Sequence, residues 1–259
     1  MEMHTQSRWT LAGKKAVVTG GSKGIGAAIV AEFIGLGAEV LAVARHTEDL
    51  TLLQQQHAEK LHICQADVST PEGRQKLVAQ VLEQWGQLDI LVNNVGTNIR
   101  KPTAAYSAQE YDFILNTNLR SAFELCQQFY PLLKQADQGN IINVTSVAGL
   151  THVRTGVLYG MTKAAMVQLT RNLAAEWAAD NIRVNAVAPW YISTPLAQTV
   201  LQQEAYYEAV ISRTPMKQIG KPEDVAAAAA FLSMPAAAYI TGQCVAVDGG
   251  FTINGFQPE

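Results

Sequence analysis

The sequence predicts an α/β fold in which a doubly wound, seven-stranded parallel sheet carries helices on both faces. Three observations predict it. Seven short apolar runs, rich in β-branched residues, recur from near the start to near the end. Segments of helical periodicity separate them. Several of the runs are almost wholly apolar, as expected of parallel strands covered on both sides. Repeated strand–helix–strand units imply right-handed crossovers and one open sheet.

The predicted strands lie at 14–19, 39–44, 61–64, 88–92, 140–144, 183–188 and 243–247. Between the first two, Ile25, Ile29, Phe33 and Leu36 keep a near i, i+4 rhythm that marks one buried helix face. Ser69-Thr70-Pro71-Glu72 opens a helix after the third strand, with Pro in the first turn. Residues 158–179 form a further helix, and Pro222-Glu223-Asp224 starts an Ala-rich one. The stretch 193–220 breaks the alternation: Leu196, Tyr206, Tyr207 and Ile211 stand between turn signals, and a helical flap beside the site is expected. No linker or composition break interrupts 10–250, so one domain spans 1–259, with 1–9 as an N-terminal tail.

Bulk chemistry excludes several classes. A net charge of −3 argues against a protein built to neutralise nucleic-acid phosphates. The longest apolar runs are strand-length, too short to cross a membrane, and the polar start lacks the apolar run of a signal peptide. Cys64, Cys126 and Cys244 are odd in number and unpaired in spacing, which fits free thiols in a reducing compartment, the cytoplasm by default. The five histidines show no metal-ligand spacing, so no metal site is expected.

Gly20, Ser22, Lys23, Gly24, Ile25 and Gly26 follow the first strand and open the first helix. Glycines there allow a tight turn and close backbone approach to a pyrophosphate, and the helix N-terminus offers unpaired N–H groups to it. This is the dinucleotide-binding arrangement of a Rossmann fold. The second strand ends Val43-Ala44-Arg45-His46, without the carboxylate that would hold a ribose 2′-hydroxyl. Arg45 and Lys23 supply two cations with no competing acid, which favours a 2′-phosphate and hence NADP(H). Asp67 and Val68 follow the third strand, and Asn94 and Gly96 the fourth, at strand ends where ligands of open sheets bind. Two readings of Asp67 stand side by side: acceptor for the adenine amine, or cap of the helix that follows.

Tyr159 and Lys163 are four apart on one helix face, their Cβ atoms roughly 5–6 Å apart. An ammonium there favours the phenolate. Lowering a phenol pKa by about 3 corresponds to roughly 4 kcal/mol, enough for acid–base work. Ser146, at the end of the fifth strand, is placed to donate to a developing oxyanion.

With these residues in view the chain resembles the short-chain dehydrogenase/reductases over about 10–255. The motifs are Gly20/Gly24/Gly26, Asn93-Asn94-x-Gly96, Asn118, Ser146, Tyr159-x-x-x-Lys163, Asn185, Pro189 through Thr194 and Val247-Asp248-Gly249-Gly250. The resemblance implies that Tyr159 protonates the substrate oxygen and Ser146 orients it. It implies that Lys163 holds the nicotinamide ribose and that Asn118 anchors a water of the proton relay. It places Pro189, Ile192 and Thr194 at the nicotinamide, and it implies a homo-oligomer, usually a tetramer, with the Tyr159 helix and the final segment at interfaces. Val95 and Trp190 depart from the family's usual Ala and Gly.

Segments such as Asn185-Ala186-Val187-Ala188-Pro189 and Tyr239-Ile240-Thr241-Gly242-Gln243 are similar to tropinone reductase-like members. Those enzymes direct His or Glu side chains at an amine substrate; Arg100 and Gly156 stand there in this chain, which disfavours a cationic tropane. Substrate-facing candidates are Val147, His152, Val153, Trp190, Tyr191, Leu196, Tyr206 and Tyr207. Trp190 is read either as pocket wall or as packing. Arg100 and Arg154 are read either as attracting an anionic or carrier-linked substrate or as solvated loop charges. The expected activity is reduction of a small cyclic or aryl ketone, or an imine, with a 3-oxoacyl-carrier reductase as the alternative. A non-catalytic NADP(H)-sensing protein is the alternative of another class.

Overall fold

The computed structural model describes residues 8–255, so most of the expected tail 1–9 lies outside the described residues. The strands are β1 (Lys15–Thr19), β2 (Glu39–Ala44), β3 (Leu61–Gln65), β4 (Ile90–Asn93), β5 (Gly139–Val144), β6 (Ile182–Pro189) and β7 (Cys244–Val247). They form one sheet in the order β3-β2-β1-β4-β5-β6-β7, and every pairing is parallel. All seven predicted strands exist, with ends that move by a residue or two.

Helices α1 (Gly24–Gly35), α2 (Glu48–Gln56), α3 (Pro71–Trp85), α4 (Ala108–Leu115), α5 (Ser121–Leu133) and α6 (Val157–Glu176) connect them, followed by α7 (Pro195–Leu201), α8 (Glu204–Arg213) and α9 (Pro222–Ser233). Side chains alternate across the sheet, as strand geometry requires. Val18, Val40 and Ala42 join Ile29 and Phe33 of α1 and Ala226 and Ala229 of α9 in one apolar layer. Val17 and Leu41 join Leu77, Leu125, Phe129 and Leu173 in the layer on the other side. The Ala run of α9 lets that helix lie close on α1; Ala226, Ala229 and Ala230 are buried.

Polar cross-ties fix the helices that carry the site. Arg74 of α3 is fully buried, donates to the Val68 carbonyl at 2.7 Å, and pairs with Glu124 of α5. Asn93 of β4 donates to Asn143 of β5 at 2.9 Å, and Asn143 donates to Thr170 of α6 at 2.9 Å. A buried ladder therefore sets the rotation of α6 on the sheet. Thr70 caps α3, its Oγ1 accepting from Gly73 N at 3.1 Å, with Pro71 at the first position as the sequence suggested.

The chain runs outward from β1 to β3, returns, and runs the other way from β4 to β7. The reversal lies between β1 and β4, where Val17 is flanked by Leu41 and Leu91. In open α/β sheets such a switch point opens a crevice beyond the carboxyl ends of the strands. The site lies there.

Among the described residues no helix is long and apolar enough to cross a membrane. Cys64 and Cys126 are buried free thiols, Cys244 is half-buried, and burial pushes all three up, Cys126 to about 12. None is poised as a nucleophile.

Candidate active site

A cavity of about 630 Å³ opens along the carboxyl ends of β1 to β6. Every residue expected at the dinucleotide lines it: Gly20, Ser22, Lys23, Gly24, Ile25, Gly26, Arg45, Asp67, Val68, Asn94, Gly96, Tyr159, Lys163, Pro189, Ile192 and Thr194.

The glycine loop is shaped for close approach. Gly20 and Gly24 have φ of +66° and +54°, a region side chains rarely adopt. A Cβ on Gly26 would stand 2.0 Å from the Gly20 carbonyl oxygen, so only glycine lets α1 start against the loop. Asn94 holds the loop from β4, its Nδ2 donating to Thr19 O at 2.9 Å and Gly20 O at 3.2 Å. Gly96 lies under Lys163: a Cβ there would stand 3.1 Å from Nζ.

One expectation at this end needs correction, and one open reading is resolved. Lys23 does not stand without an acid, because its Nζ pairs with Asp49 of α2 at 3.1 Å. The pair joins residues 26 apart through the β2–α2 turn, a contact that local pattern does not reveal. Arg45 remains at the end of β2, and among the described residues no ion pair involves it. Asp67 is not the helix cap, which is Thr70. Its Oδ1 instead accepts from Ser69 N at 2.9 Å and Ser69 Oγ at 2.7 Å, while the residue forms part of the cavity wall.

At the other end Ser146, Tyr159 and Lys163 converge. Tyr159 stands in the first turn of α6 and Lys163 one turn on, with Nζ 5.7 Å from the Tyr159 ring centroid. Lys163 Nζ donates to the Val144 carbonyl at 2.9 Å, where β5 ends. Ser146 Oγ accepts from Ala148 N at 3.2 Å, which turns the chain just after the strand. Asn118 lies behind the wall, fully buried. Its Oδ1 accepts from Thr97 N at 2.8 Å, and its Nδ2 donates to Thr97 O at 2.9 Å and Thr162 Oγ1 at 3.2 Å. It sits in a π-helical turn, Asn116–Arg120, between α4 and α5, the kind of irregularity that often marks functional positions.

The electrostatics differ from the expectation that Lys163 lowers the Tyr159 phenol. Burial pushes Tyr159 up, outweighing the Ser146 hydroxyl and the Arg100 charge, which lower it. Burial also brings Lys163 down to about 8. In this arrangement desolvation acts on both groups and favours the neutral form of each.

Among the substrate-facing candidates, Val147, Val153, Trp190, Tyr191 and Leu196 line the cavity. His152, Tyr206 and Tyr207 do not. His152 is exposed, because the loop after the 3₁₀ turn Val147–Gly149 carries it outward. Tyr207 is 42% exposed on α8. Tyr206 acts at one remove, its hydroxyl bonded to that of Tyr191. Trp190 is both wall and packing: it stacks on Phe251 at 3.7 Å and donates from Nε1 to Thr214 at 3.1 Å. The segment 193–220 forms α7 and α8, tied at its base by Ser193 N to Gly220 O at 2.8 Å and Gly220 N to Tyr191 O at 3.1 Å.

Arg154 is exposed and off the cavity, whereas Arg100 lines it. Asn98, Thr155, Thr117 and Phe113 also form part of the wall and had no sequence signal. Asn98 is recognisable only in the fold, where its Nδ2 donates to Thr155 O at 2.8 Å and Thr155 Oγ1 at 2.9 Å. Among the described residues no cluster of three or more His, Cys, Asp or Glu could hold a metal.

Parallel topology, a glycine cradle at the switch point and a Ser–Tyr–Lys set on β5 and α6 together define a dinucleotide-dependent oxidoreductase. The chain belongs to the short-chain dehydrogenase/reductase family: residues 20–252 match the family model described as enoyl-(acyl carrier protein) reductase. It is 52% identical over 258 residues to a tropinone reductase homolog of Arabidopsis thaliana, covering 98% of each chain. It superposes with a TM-score of 0.91 on a putative short-chain alcohol dehydrogenase of Sinorhizobium meliloti, 35% identical, covering 96% of this chain and 100% of the other. A gluconate 5-dehydrogenase of Burkholderia cenocepacia, solved with NADP and tartrate, gives a TM-score of 0.90 at 28% identity, covering 95% and 98%.

Proposed function

We propose that the chain reduces a small cyclic or aryl ketone, or a cyclic imine, using NADP(H), with Tyr159 as the proton donor. The observation that carries this is the convergence of Ser146, Tyr159 and Lys163 in one cavity with the glycine cradle of β1 and α1. The cradle fits a dinucleotide because a Cβ at Gly26 or Gly96 would close the space between loop, helix and Lys163. Arg45, in the position where an acid would select NAD, supports the 2′-phosphate form. The NADP held by the Burkholderia relative supports it further.

When bound, the dinucleotide supplies the hydride. Ser146 Oγ is placed to donate to the substrate oxygen and Tyr159 to give it the proton. Lys163 adds positive charge beside Tyr159, and Asn118 holds the backbone at Thr97. Trp190, Tyr191, Val147 and Val153 make the wall apolar and aromatic, suited to a ring. The segment carrying α7 and α8 forms the flap over it.

The test is NADPH oxidation across cyclic ketones, aryl ketones, imines and acyl thioesters. Turnover of ketones or imines is expected, and turnover confined to acyl thioesters would overturn the substrate class. Rate against pH checks the acid. Burial holds the proton on Tyr159, and Lys163 loses its charge as pH rises through about 8. Reduction is therefore expected to be flat below that value and to decline above it. A rate that climbs through the same range would contradict Tyr159 as donor.

We further propose that the face of α4, α5 and α6 meets a second copy. A hollow there is lined by Leu115, Leu119, Phe123, Ala165 and Leu169, and Phe123 is 47% exposed. Light scattering is expected to give a dimer or tetramer mass. Phe123→Glu is expected to lower that mass, and an unaltered mass in this variant would refute the interface.

A further inference from the structure

Arg100 is a charged side chain in the substrate half of the cavity, and among the described residues no acid lines the wall beside it. Among the described residues Asp67 is the one carboxylate in the wall, and it lies toward the glycine loop. The nearest acid along the chain, Glu110, is engaged elsewhere: it pairs with Lys101 at 2.6 Å and accepts from Ser107 N at 2.8 Å. Among the described residues no ion pair involves Arg100.

The backbone that presents Arg100 is anchored close by. Asn98 is held by its two bonds to Thr155, and Tyr106 donates to the Ile99 carbonyl at 2.6 Å. Arg100 thus extends from a segment anchored at Asn98 and Ile99 into the cavity wall. Its charge reaches both Tyr159 and Tyr191, lowering each phenol against the effect of burial. Burial, followed by the Tyr206 hydroxyl, keeps Tyr191 protonated; its single O–H turns to a ligand when Tyr206 is the donor in the bond the two hydroxyls share.

We propose that Arg100, with Tyr191 lining the same cavity, anchors a carboxylate on the substrate, so that the ketone reduced at Tyr159 is an oxo acid. This rests on the proposed reduction at the same site. A guanidinium is suited to the role because its fork matches a carboxylate bidentately, and Arg100 is exposed enough to meet one entering the cavity. An amine at the same place would meet a like charge and be excluded.

The test compares three ketones alike except at one end: 4-acetylbenzoate, 4-acetylbenzamide and 4-acetylbenzylamine. The readout is the ratio of kcat/KM values, so a general loss of activity in a variant cancels. The carboxylate is expected to exceed the amide by about tenfold or more, and the amine to be poorest. Arg100→Gln is expected to bring the carboxylate-to-amide ratio near one, Arg100→Lys to restore part of it, and Arg100→Glu to invert the order in favour of the amine. The same ratios in dissociation constants, measured against the NADP+ complex, read the anchor without turnover. If none of the three is reduced but the carboxylate binds preferentially, the proposed reduction fails and the anion anchor stands. A carboxylate-to-amide ratio of one in the unaltered protein, or a Gln variant that shifts all three ketones equally through the Tyr159 pH profile, would overturn the anchor.

Discussion

Replacing Tyr159 with Phe is expected to cut the reduction rate by roughly a thousandfold, while NADPH binding changes only a few-fold. The substitution removes one hydroxyl and leaves a ring that still fills the first turn of α6. Ser146 keeps its bond from Ala148 N, and Lys163 keeps its bond to the Val144 carbonyl, so the wall is not rearranged. What is lost is the group that delivers the proton. The measurement is single-turnover reduction followed at 340 nm, with NADPH affinity read separately from fluorescence enhancement. A rate within tenfold of the unaltered protein would assign the proton to another donor.

Reversing the charge at the end of β2, Arg45→Glu, is expected to raise the KM for NADPH by roughly 30- to 100-fold and to leave NADH unimpaired or improved. Arg45 is exposed, and an ordinary exposed ion pair contributes about 0–1 kcal/mol. A guanidinium held against a dianionic phosphate contributes more, and the Glu variant replaces that attraction with repulsion. Lys23 compensates little, because Asp49 already holds its ammonium. The preference for NADPH is also expected to weaken with ionic strength, as exposed charges are screened. Steady-state kinetics with both dinucleotides at low and high salt measure it. An NADPH-to-NADH ratio that does not move in the variant would remove Arg45 from cofactor choice.

The fold was legible in the sequence because its parallel strands are nearly continuous apolar runs, a signal that survives without any partner. Seven such runs became seven strands with ends adjusted by a residue or two. The glycine loop and the Tyr159–Lys163 spacing were legible for a similar reason: each function is local, set by a tight turn or one helical turn. What failed was whatever depended on side-chain direction in irregular chain. His152 is six residues from Ser146, yet the loop after the 3₁₀ turn carries it outward. Tyr206 and Tyr207 fall on a short helix that buries Val210 alone, so no apolar stripe in the sequence announces which face turns inward. Lys23–Asp49 and Asn98–Thr155 join residues 26 and 57 apart, and nothing in either local pattern announces the partner. The Tyr159 electrostatics depart from the sequence expectation for a physical reason. Helical spacing brings Lys163 one turn from Tyr159 but does not reveal the burial, which pushes the phenol up against the Ser146 hydroxyl and the Arg100 charge.

The most direct test of the account is transfer of isotope from NADPH carrying deuterium at C4 of the nicotinamide, one epimer at a time. The product would be examined by mass spectrometry after incubation with the preferred ketone. The account predicts one deuterium on the carbinol carbon from one epimer only, and none from the Tyr159→Phe variant on the same time scale. Tight NADPH binding with no deuterium reaching any carbonyl would contradict it and leave a protein that holds the dinucleotide without using it.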